Sequence, residues 1–447
     1  MNWIERHIFK MQDDDHKLSL ARPKFFVPSL YFAEGLPFTI VNSMSVLLFK
    51  TLGADNDFIG FFTSLLYIPW TFKLFWAPLV DFISTRRRWI ISVQWILVCL
   101  SAGLSLAVFA PHKTYVLLGV FALMAFISAT QDICIDGYYL DILNKTQQAF
   151  YIGVRNAAYK IAWLFGSGAL VFVAGKISEH LHQNGTDNFI ESGWSCAFAS
   201  TAVVFLILAI FHSKVLPEPQ ISAHAVEDKA GSRNLFEAFP RVFMDFIDQP
   251  RIVVILLYVL IFRLGDALLL KMAQPFLIDD LSKGGLALST SDVGLIYGTV
   301  GTFFLFIGGI LGGWLISKLG LRKCILPFAL LQNLALPLYW YLAAYKPAIF
   351  TVAAVNAFEQ FSYGLGTAGY TVFLMSTVKP RYKAAHYAIV TAFMALGVML
   401  PGMKSGALES IFGYANFFLL SFALSLPGII VIPFLPVKDL EQRQAES

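Results

Sequence analysis

The chain has 447 residues and a formal net charge of +4; 57% of its residues are hydrophobic and only 14% charged, with a mean hydropathy of +0.66. That balance excludes an ordinary soluble globular protein, in which about a quarter of residues are charged. The apolar residues also run in blocks of roughly 20 or more, the length that crosses a hydrocarbon core.

Residues 1–24 carry Arg6, Lys10, Asp13, Asp14, Asp15, Lys17, Arg22 and Lys24 without an apolar stretch, so they are read as a cytoplasmic tail and not as a cleaved signal. Apolar blocks then predict twelve transmembrane helices, near 25–50, 57–79, 89–110, 114–143, 150–178, 194–213, 251–279, 290–317, 324–344, 348–376, 384–408 and 413–435. The polar stretch 214–250, with Pro217, Pro219, Glu227, Asp228 and Lys229, divides them six and six, and its later part, Leu235 to Phe246, is expected to be an interfacial helix. The expected fold class is therefore an all-α polytopic membrane protein of two six-helix bundles, 25–213 and 251–435, ending in a tail at 436–447. Cys99, Cys134, Cys196 and Cys324 all fall inside apolar spans and are read as small core residues. No histidine pairing at helical spacing supports a metal site, and no cofactor is expected.

Charge sets the orientation. With the N-terminus inside, most of the 33 Lys and Arg residues fall on the cytoplasmic side, including Arg86-Arg87-Arg88, Lys318/Arg322/Lys323 and Lys379/Arg381/Lys383, whereas 179–193 has neither Lys nor Arg. Both termini are expected to be cytoplasmic. The 2–3 and 8–9 turns carry matching marks: Ala77-Pro-Leu-Val-Asp81 before Arg86-Arg87-Arg88, and Gly313-Trp-Leu-Ile-Ser317-Lys318 before Arg322-Lys323. Both resemble the loop motif of the major facilitator superfamily, with Ala77 and Ser317 departing from it, and the likeness implies a parallel repeat of two bundles. Under this reading Asp81, Arg86, Arg87, Arg88, Lys318 and Arg322 are gating or structural charges.

Eleven ionisable residues lie well inside the spans: Glu34, Lys73, Asp132, Asp136, Asp141, Arg155, Lys160, Arg263, Asp266, Lys271 and Glu359. Charges at that depth are costly, so they face a cavity or a partner. Spans 4 and 5 form an antiparallel hairpin turning near Asn144, which at about 1.5 Å per residue sets Asp136 level with Arg155 and Asp132 level with Lys160. Asp132 and Asp136 are also i,i+4 and share a helix face. Two readings are open for these acids: a static lock, with Asp136–Arg155 and Asp141 on loop amides, or a proton relay in which one carboxylate loses its partner as a cavity opens. Asp141 is assigned to the lock, and Asp132, Asp136 and Glu34 to proton coupling. Glu34 precedes Gly35-Leu36-Pro37, where a helix break is expected to line a site, and Lys73 is expected to snorkel. Arg263 and Asp266 suit either an i,i+3 ion pair or a carboxylate or phosphate ligand. Glu359 with Gln360 suits either a protonated core acid or a cargo contact, and Tyr138 can stack on a sugar. Glu34, Lys160, Arg263, Asp266, Glu359, Gln360 and Tyr138 are the substrate-binding candidates.

Gln131-Asp132-Ile133-Cys134-Ile135-Asp136-Gly137 followed by Asp141, Glu34-Gly35-Leu36-Pro37, and Phe72-Lys73-Leu74-Phe75-Trp76-Ala77-Pro78-Leu79-Val80-Asp81 resemble the first half of the peptide/acetyl-coenzyme-A transporter group of that superfamily. The group includes AmpG-type muropeptide permeases, acetyl-CoA transporters and some siderophore importers. The likeness is good over 30–170 and general afterwards, and the compact loops favour the AmpG-like branch. It implies proton-driven import of a sizeable polar solute such as an anhydromuropeptide across a bacterial inner membrane. The partners implied are the solute, protons and the lipid bilayer, with no nucleic acid and a monomeric chain. Siderophore or acetyl-CoA transport is the alternative of the same fold. An intramembrane acyl or glycosyl transferase is disfavoured, because midplane acids matched to bases in a two-fold repeat do not suit it.

Overall fold

The computed structural model describes residues 23–77, 80, 83–218, 243–378 and 383–438. Asp81, Lys379, Arg381 and most of both tails and of the expected interfacial helix lie outside these residues. Among the described residues every regular element is helical. Nine stretches are long and apolar enough to cross a bilayer: α1 Pro23–Thr51, α4 Arg86–Ala107, α5 Lys113–Ile142, α6 Thr146–Gln183, α7 Phe189–Val215, α8 Ile252–Ile278, α9 Thr290–Leu319, α10 Leu321–Tyr345, and Ile389–Phe434.

The difference from twelve lies in three places. The expected span 57–79 is broken into α2 Asn56–Leu65 and α3 Ile68–Phe72, followed by a tighter turn at Lys73–Phe75. Pro69 explains the break, since it has no N–H for the carbonyl of Leu65. The helix α11, Ile349–Ser376, has the length of a span but buries the polar Asn356, Glu359, Gln360 and Ser362. The expected last two spans run together as α12, Lys383–Val431, bent where Gly413 takes φ 68°, a backbone angle that favours glycine.

The break expected after Glu34 does not occur. Helical geometry continues through Pro37 to Thr39, and the wider π-type turn comes later, at Ile40–Met44. Pro37 leaves the carbonyl of Ala33 without its helical donor. In a bilayer such an orphan must be satisfied by protein, and Nε2 of the buried Gln131 on α5 donates to it at 2.9 Å. The signature glutamine is thus a strut between α1 and α5.

Packing divides by depth. One continuous apolar core at one end of the molecule takes residues from both halves, among them Leu47, Phe49, Phe121, Leu268, Phe276 and Phe418. At the other end there are two separate cores, one built on Phe26, Ile90, Ile135 and Tyr138, the other on Tyr258, Phe328, Phe373 and Val390. The halves therefore join at one end and part at the other. At the closed end α2 meets α12 so tightly that a Cβ on Gly406 would lie 1.8 Å from the Asn56 carbonyl, and α6 meets α9 with a Cβ on Gly298 placed 1.9 Å from that of Ser167. A buried polar knot sits beside the first contact. Lys50 pairs with Asp279 at 2.6 Å, Tyr414 donates to the same carboxylate at 2.6 Å, and Asn56 donates to Glu409 at 2.6 Å and to the Tyr414 hydroxyl at 2.8 Å.

Cys134 and Cys324 are core residues as expected, whereas Cys99 and Cys196 are exposed on the outer surface. The strut is open to a direct test. Gln131→Leu is expected to destabilise the protein by about 1–3 kcal/mol, the cost of an unsatisfied buried carbonyl. Adding Pro37→Ala, which returns the helical donor, is expected to recover much of the loss in thermal unfolding. A double variant no more stable than Gln131→Leu would rule the strut out.

Candidate functional site

The cleft between the separated cores holds most of the intramembrane charges. On the first half, Asp132 and Asp136 stand one turn apart on α5, facing α1, α6 and the turn after α3. Lys73 Nζ hydrogen-bonds Asp132. Asp136 accepts from the Tyr31 hydroxyl at 2.9 Å, and Arg155 Nη2 stands 3.2 Å from the same oxygen. The Arg155 guanidinium also lies over the rings of Tyr31 and Tyr139, at 4.5 and 5.3 Å from their centroids.

Two expectations are corrected here. The partner of Asp132 is Lys73, not Lys160, and Lys73 does not snorkel. The break at Pro69 and the tight turn at Lys73–Phe75 bring the lysine inward against α5, which a continuous second span would not do. The Asp136–Arg155 pair follows the hairpin register.

Glu34 is buried, its Oε2 has no hydrogen-bond partner, and it lies against Asp132, with Asp136 and Lys73 also acting on it. Three carboxylates thus share two bases, one acid more than the bases can pair. The cluster is not sealed: the Lys73 and Asp136 side chains are 35% and 43% accessible, which at this depth requires an aqueous cleft.

On the second half Arg263 and Asp266, for which an i,i+3 ion pair was one of two open readings, do not form that pair. Arg263 opens the lower part of α8 with non-helical backbone angles and turns to α11, donating to the Tyr363 hydroxyl at 2.7 Å and to Thr367 Oγ1 at 2.9 Å. Its guanidinium lies 5.1 Å from the Tyr363 ring centre and 4.8 Å from that of Tyr370. Asp266 instead accepts from Gln332 on α10, and Glu359 accepts from Gln360 at 2.8 Å. Lys271 donates to Thr63 of α2 at 3.1 Å.

Tyr138 is not a cleft residue. It is fully buried, donates to the Pro217 carbonyl at 2.8 Å and packs edge-on against Phe26. Position decides this, because Tyr138 is one turn beyond the buried Cys134 and on the same face of α5. The aromatic surface of the cleft lies elsewhere. Phe38, Tyr67, Trp70, Tyr159 and Trp163, from α1, α2–α3 and α6, are all half-buried, and Phe38 contacts the other four, nearest Trp70 at 4.9 Å between ring centres. The sequence reading did not single these out, although their density was visible in it.

The motif charges fasten the open end. Arg86 pairs with Asp141 at 2.8 Å and donates to the Gly137 carbonyl at 3.0 Å, so a guanidinium takes part in holding Asp141. Arg87 donates to the carbonyls of Leu216 and Ser213 at 2.7 and 3.0 Å and pairs with Glu218 at 2.8 Å. Arg88 is exposed, its N–H capped by Thr85. Lys318 and Arg322 flank the α9–α10 turn at Gly320. Among the described residues no group of three His, Cys, Asp or Glu side chains could hold a metal.

Bilayer-length helices in two halves, parted at one end around a charged and aromatic cleft, define a membrane transporter. The family model of the Major Facilitator Superfamily matches residues 29–278, more than half of the chain, and the chain belongs to that superfamily. Among curated proteins it is 26% identical over 408 residues to the anhydromuropeptide permease of Escherichia coli (strain K12), covering 90% of this chain and 77% of that protein. It is 25% identical over 422 residues to the putative transporter AmpG 4 of Rickettsia conorii, covering 92% and 95%. Solved structures agree in fold. A bacterial homolog of the human lysosomal transporter Spinster, inward-facing and occupied, matches with TM-score 0.68 at 17% identity over 93% of this chain and 97% of that one. A D-xylose–proton symporter matches with TM-score 0.69 at 14% identity, over 93% and 98%.

The corrected pairing makes a discriminating prediction. Asp132→Asn leaves the Lys73 ammonium without its carboxylate and is expected to cost on the order of 1–3 kcal/mol, less than a fully dry pair because Lys73 is partly accessible. Adding Lys73→Met should restore membrane expression and melting temperature, whereas adding Lys160→Met should not. Rescue by Lys160→Met alone would return Asp132 to the partner expected from the sequence.

Proposed function

We propose that the protein is a proton-coupled symporter that imports an anhydromuropeptide-class solute by alternating access. The observation that carries the coupling is the cluster of Glu34, Asp132 and Asp136 around Lys73 and Arg155, with three acids to two bases. In a low-dielectric interior an uncompensated charge is expensive, so the cluster is balanced when one proton is bound. Glu34, with an unpartnered oxygen beside Asp132, is the natural seat for it. When the cleft opens to the low-proton side and water reaches Asp136 and Lys73, the penalty for the extra charge falls and the proton leaves. Proton binding and the direction of the opening are then linked through one charge.

The cargo reading is supported by the curated relatives and by the cleft itself. Half-buried aromatic rings on one wall suit the apolar face of a sugar, and fixed donors on the other suit a polar appendage. The charge distribution of the loops supports cytoplasmic termini in a bacterial inner membrane, which makes the parted end cytoplasmic and this conformation inward-facing. One chain carries both halves and the whole cleft, so transport needs no second copy. The energy source is the proton gradient, without a bound cofactor.

The direct experiment is uptake of labelled anhydromuropeptide into proteoliposomes with and without an imposed pH gradient, acid outside. Accumulation above the equilibrium level only with the gradient is expected. Glu34→Gln, which mimics the protonated acid, is expected to keep exchange of labelled for unlabelled cargo while losing accumulation against a gradient. Normal gradient-driven accumulation by that variant would overturn the coupling role of Glu34. No uptake of anhydromuropeptide under any gradient would remove the cargo.

A further inference from the structure

At the end where the halves join, two carboxylates meet one ammonium. Lys50, near the end of α1, gives its Nζ to Asp279, just past α8, at 2.6 Å and to Asn56 Oδ1 at 2.7 Å. Tyr414 donates to the same Asp279 oxygen at 2.6 Å. The N–H donors of Asn56 go to Glu409 at 2.6 Å and to the Tyr414 hydroxyl at 2.8 Å. Asp279 therefore holds the lysine and a phenol, whereas Glu409 takes one neutral amide and forms no ion pair among the described residues, although only 7% of it is exposed. The other charged residues of these segments, Asp55, Asp57, Asp280, Lys283 and Lys404, are exposed, and Lys346 Nζ is held by the Leu281 carbonyl. Lys50 and Asn56 come from the first half, and Asp279, Glu409 and Tyr414 from the second. Shutting this end assembles the cluster, and parting it returns Glu409 to water beside the exposed Ser410 and Ile411.

With both acids ionised, the shut cluster carries one negative charge that only an amide offsets, and such a charge is costly to bury. A proton on Glu409 makes the cluster neutral and leaves its carbonyl oxygen to accept from Asn56. When the end is parted, Glu409 is an ordinary solvated carboxyl, which is ionised near neutral pH. We propose that Glu409 is a proton-binding site of the outer latch, loaded from the outer solution as the two halves close on it. The state that binds more protons is favoured by acid, so acid at this end favours the shut latch. In the orientation proposed above this end faces outside, and an acidic exterior favours the inward-facing state. The proton returns to the side it came from when the latch reopens. Glu409 thus senses external pH without carrying a proton across, which separates it from Glu34. The proposal rests on the alternating-access reading.

The test follows the distance between spin labels at Thr186 and Ala348, exposed positions on the outer ends of the two halves. It uses full-length protein in lipid nanodiscs, without cargo, with the exposed Cys99 and Cys196 replaced by Ala. All variants carry Glu34→Gln, which takes the inner acid out of the comparison; the coupling proposal can then fail in the uptake assay without touching this one. On acidification from mildly alkaline pH the ratio of shut to parted molecules is expected to rise, by at most about tenfold per pH unit for one proton. Adding Glu409→Gln, which imitates the neutral acid and keeps an acceptor for Asn56, is expected to give a shut population that no longer varies with pH. Adding Asp279→Asn instead leaves one acid for one base and is expected to flatten the profile with Glu409 still present. A flat profile in the Glu34→Gln protein, or a slope unchanged by Glu409→Gln, overturns the site. If Glu409→Gln does not fold, a slope unchanged by Asp279→Asn overturns it.

Discussion

The arrangement of the first half depends on one imbalance: three carboxylates buried against two bases. Asp132 is committed to Lys73 and Asp136 to Arg155 and Tyr31, so Glu34 is left without an ion pair of its own and with a second acid beside it. A protein interior tolerates that only if a proton fills the gap or water is near. Other features serve this cluster. The break at Pro69 delivers Lys73, the Gln131 strut fixes α1 so that Glu34 faces α5, and the Arg86–Asp141 contact anchors the end of α5 that carries all three of its acids.

Much of this was legible in the chain. The class of fold followed from the length of the apolar blocks, and the Asp136–Arg155 contact followed from helix rise and a short hairpin. Both are local arithmetic. Lys73 was misread because its position depends on a kink whose size a single proline does not specify. For Asp266 and Arg263 the sequence left an i,i+3 pair and an anion ligand both open; α8 loosens at Arg263, and each side chain finds a partner on another helix. Tyr138 was misplaced because a span with acids on one face and aromatics on others has no clear periodicity to say which side is buried. Long-range choices of this kind are settled by packing, and a single sequence carries little of it.

The polar knot of Lys50, Asn56, Asp279, Glu409 and Tyr414 was not anticipated at all. Lys50 and Asp279 end the first helix of each half, α1 and α8, so the repeat itself brings opposite charges to matching places. Recognised as a pair, they would have marked the end at which the halves join. The knot and the glycine contacts beside it hold the closed end by contacts that must all part together: buried hydrogen bonds that lose their partners at once and backbones too close for any side chain to bridge the gap.

The continuous apolar core at that end has a consequence for how the molecule responds to temperature. Rocking the halves to the opposite state would wet residues such as Leu47, Phe276 and Phe418 that are dry in this one. Hydration of apolar surface raises heat capacity, so the free-energy difference between the two states is curved in temperature and not linear. Cooling weakens the adhesion that keeps this end shut, and warming from the cold strengthens it. In the proposed alternating-access cycle, that curvature would give the dwell time on each side a temperature dependence of its own.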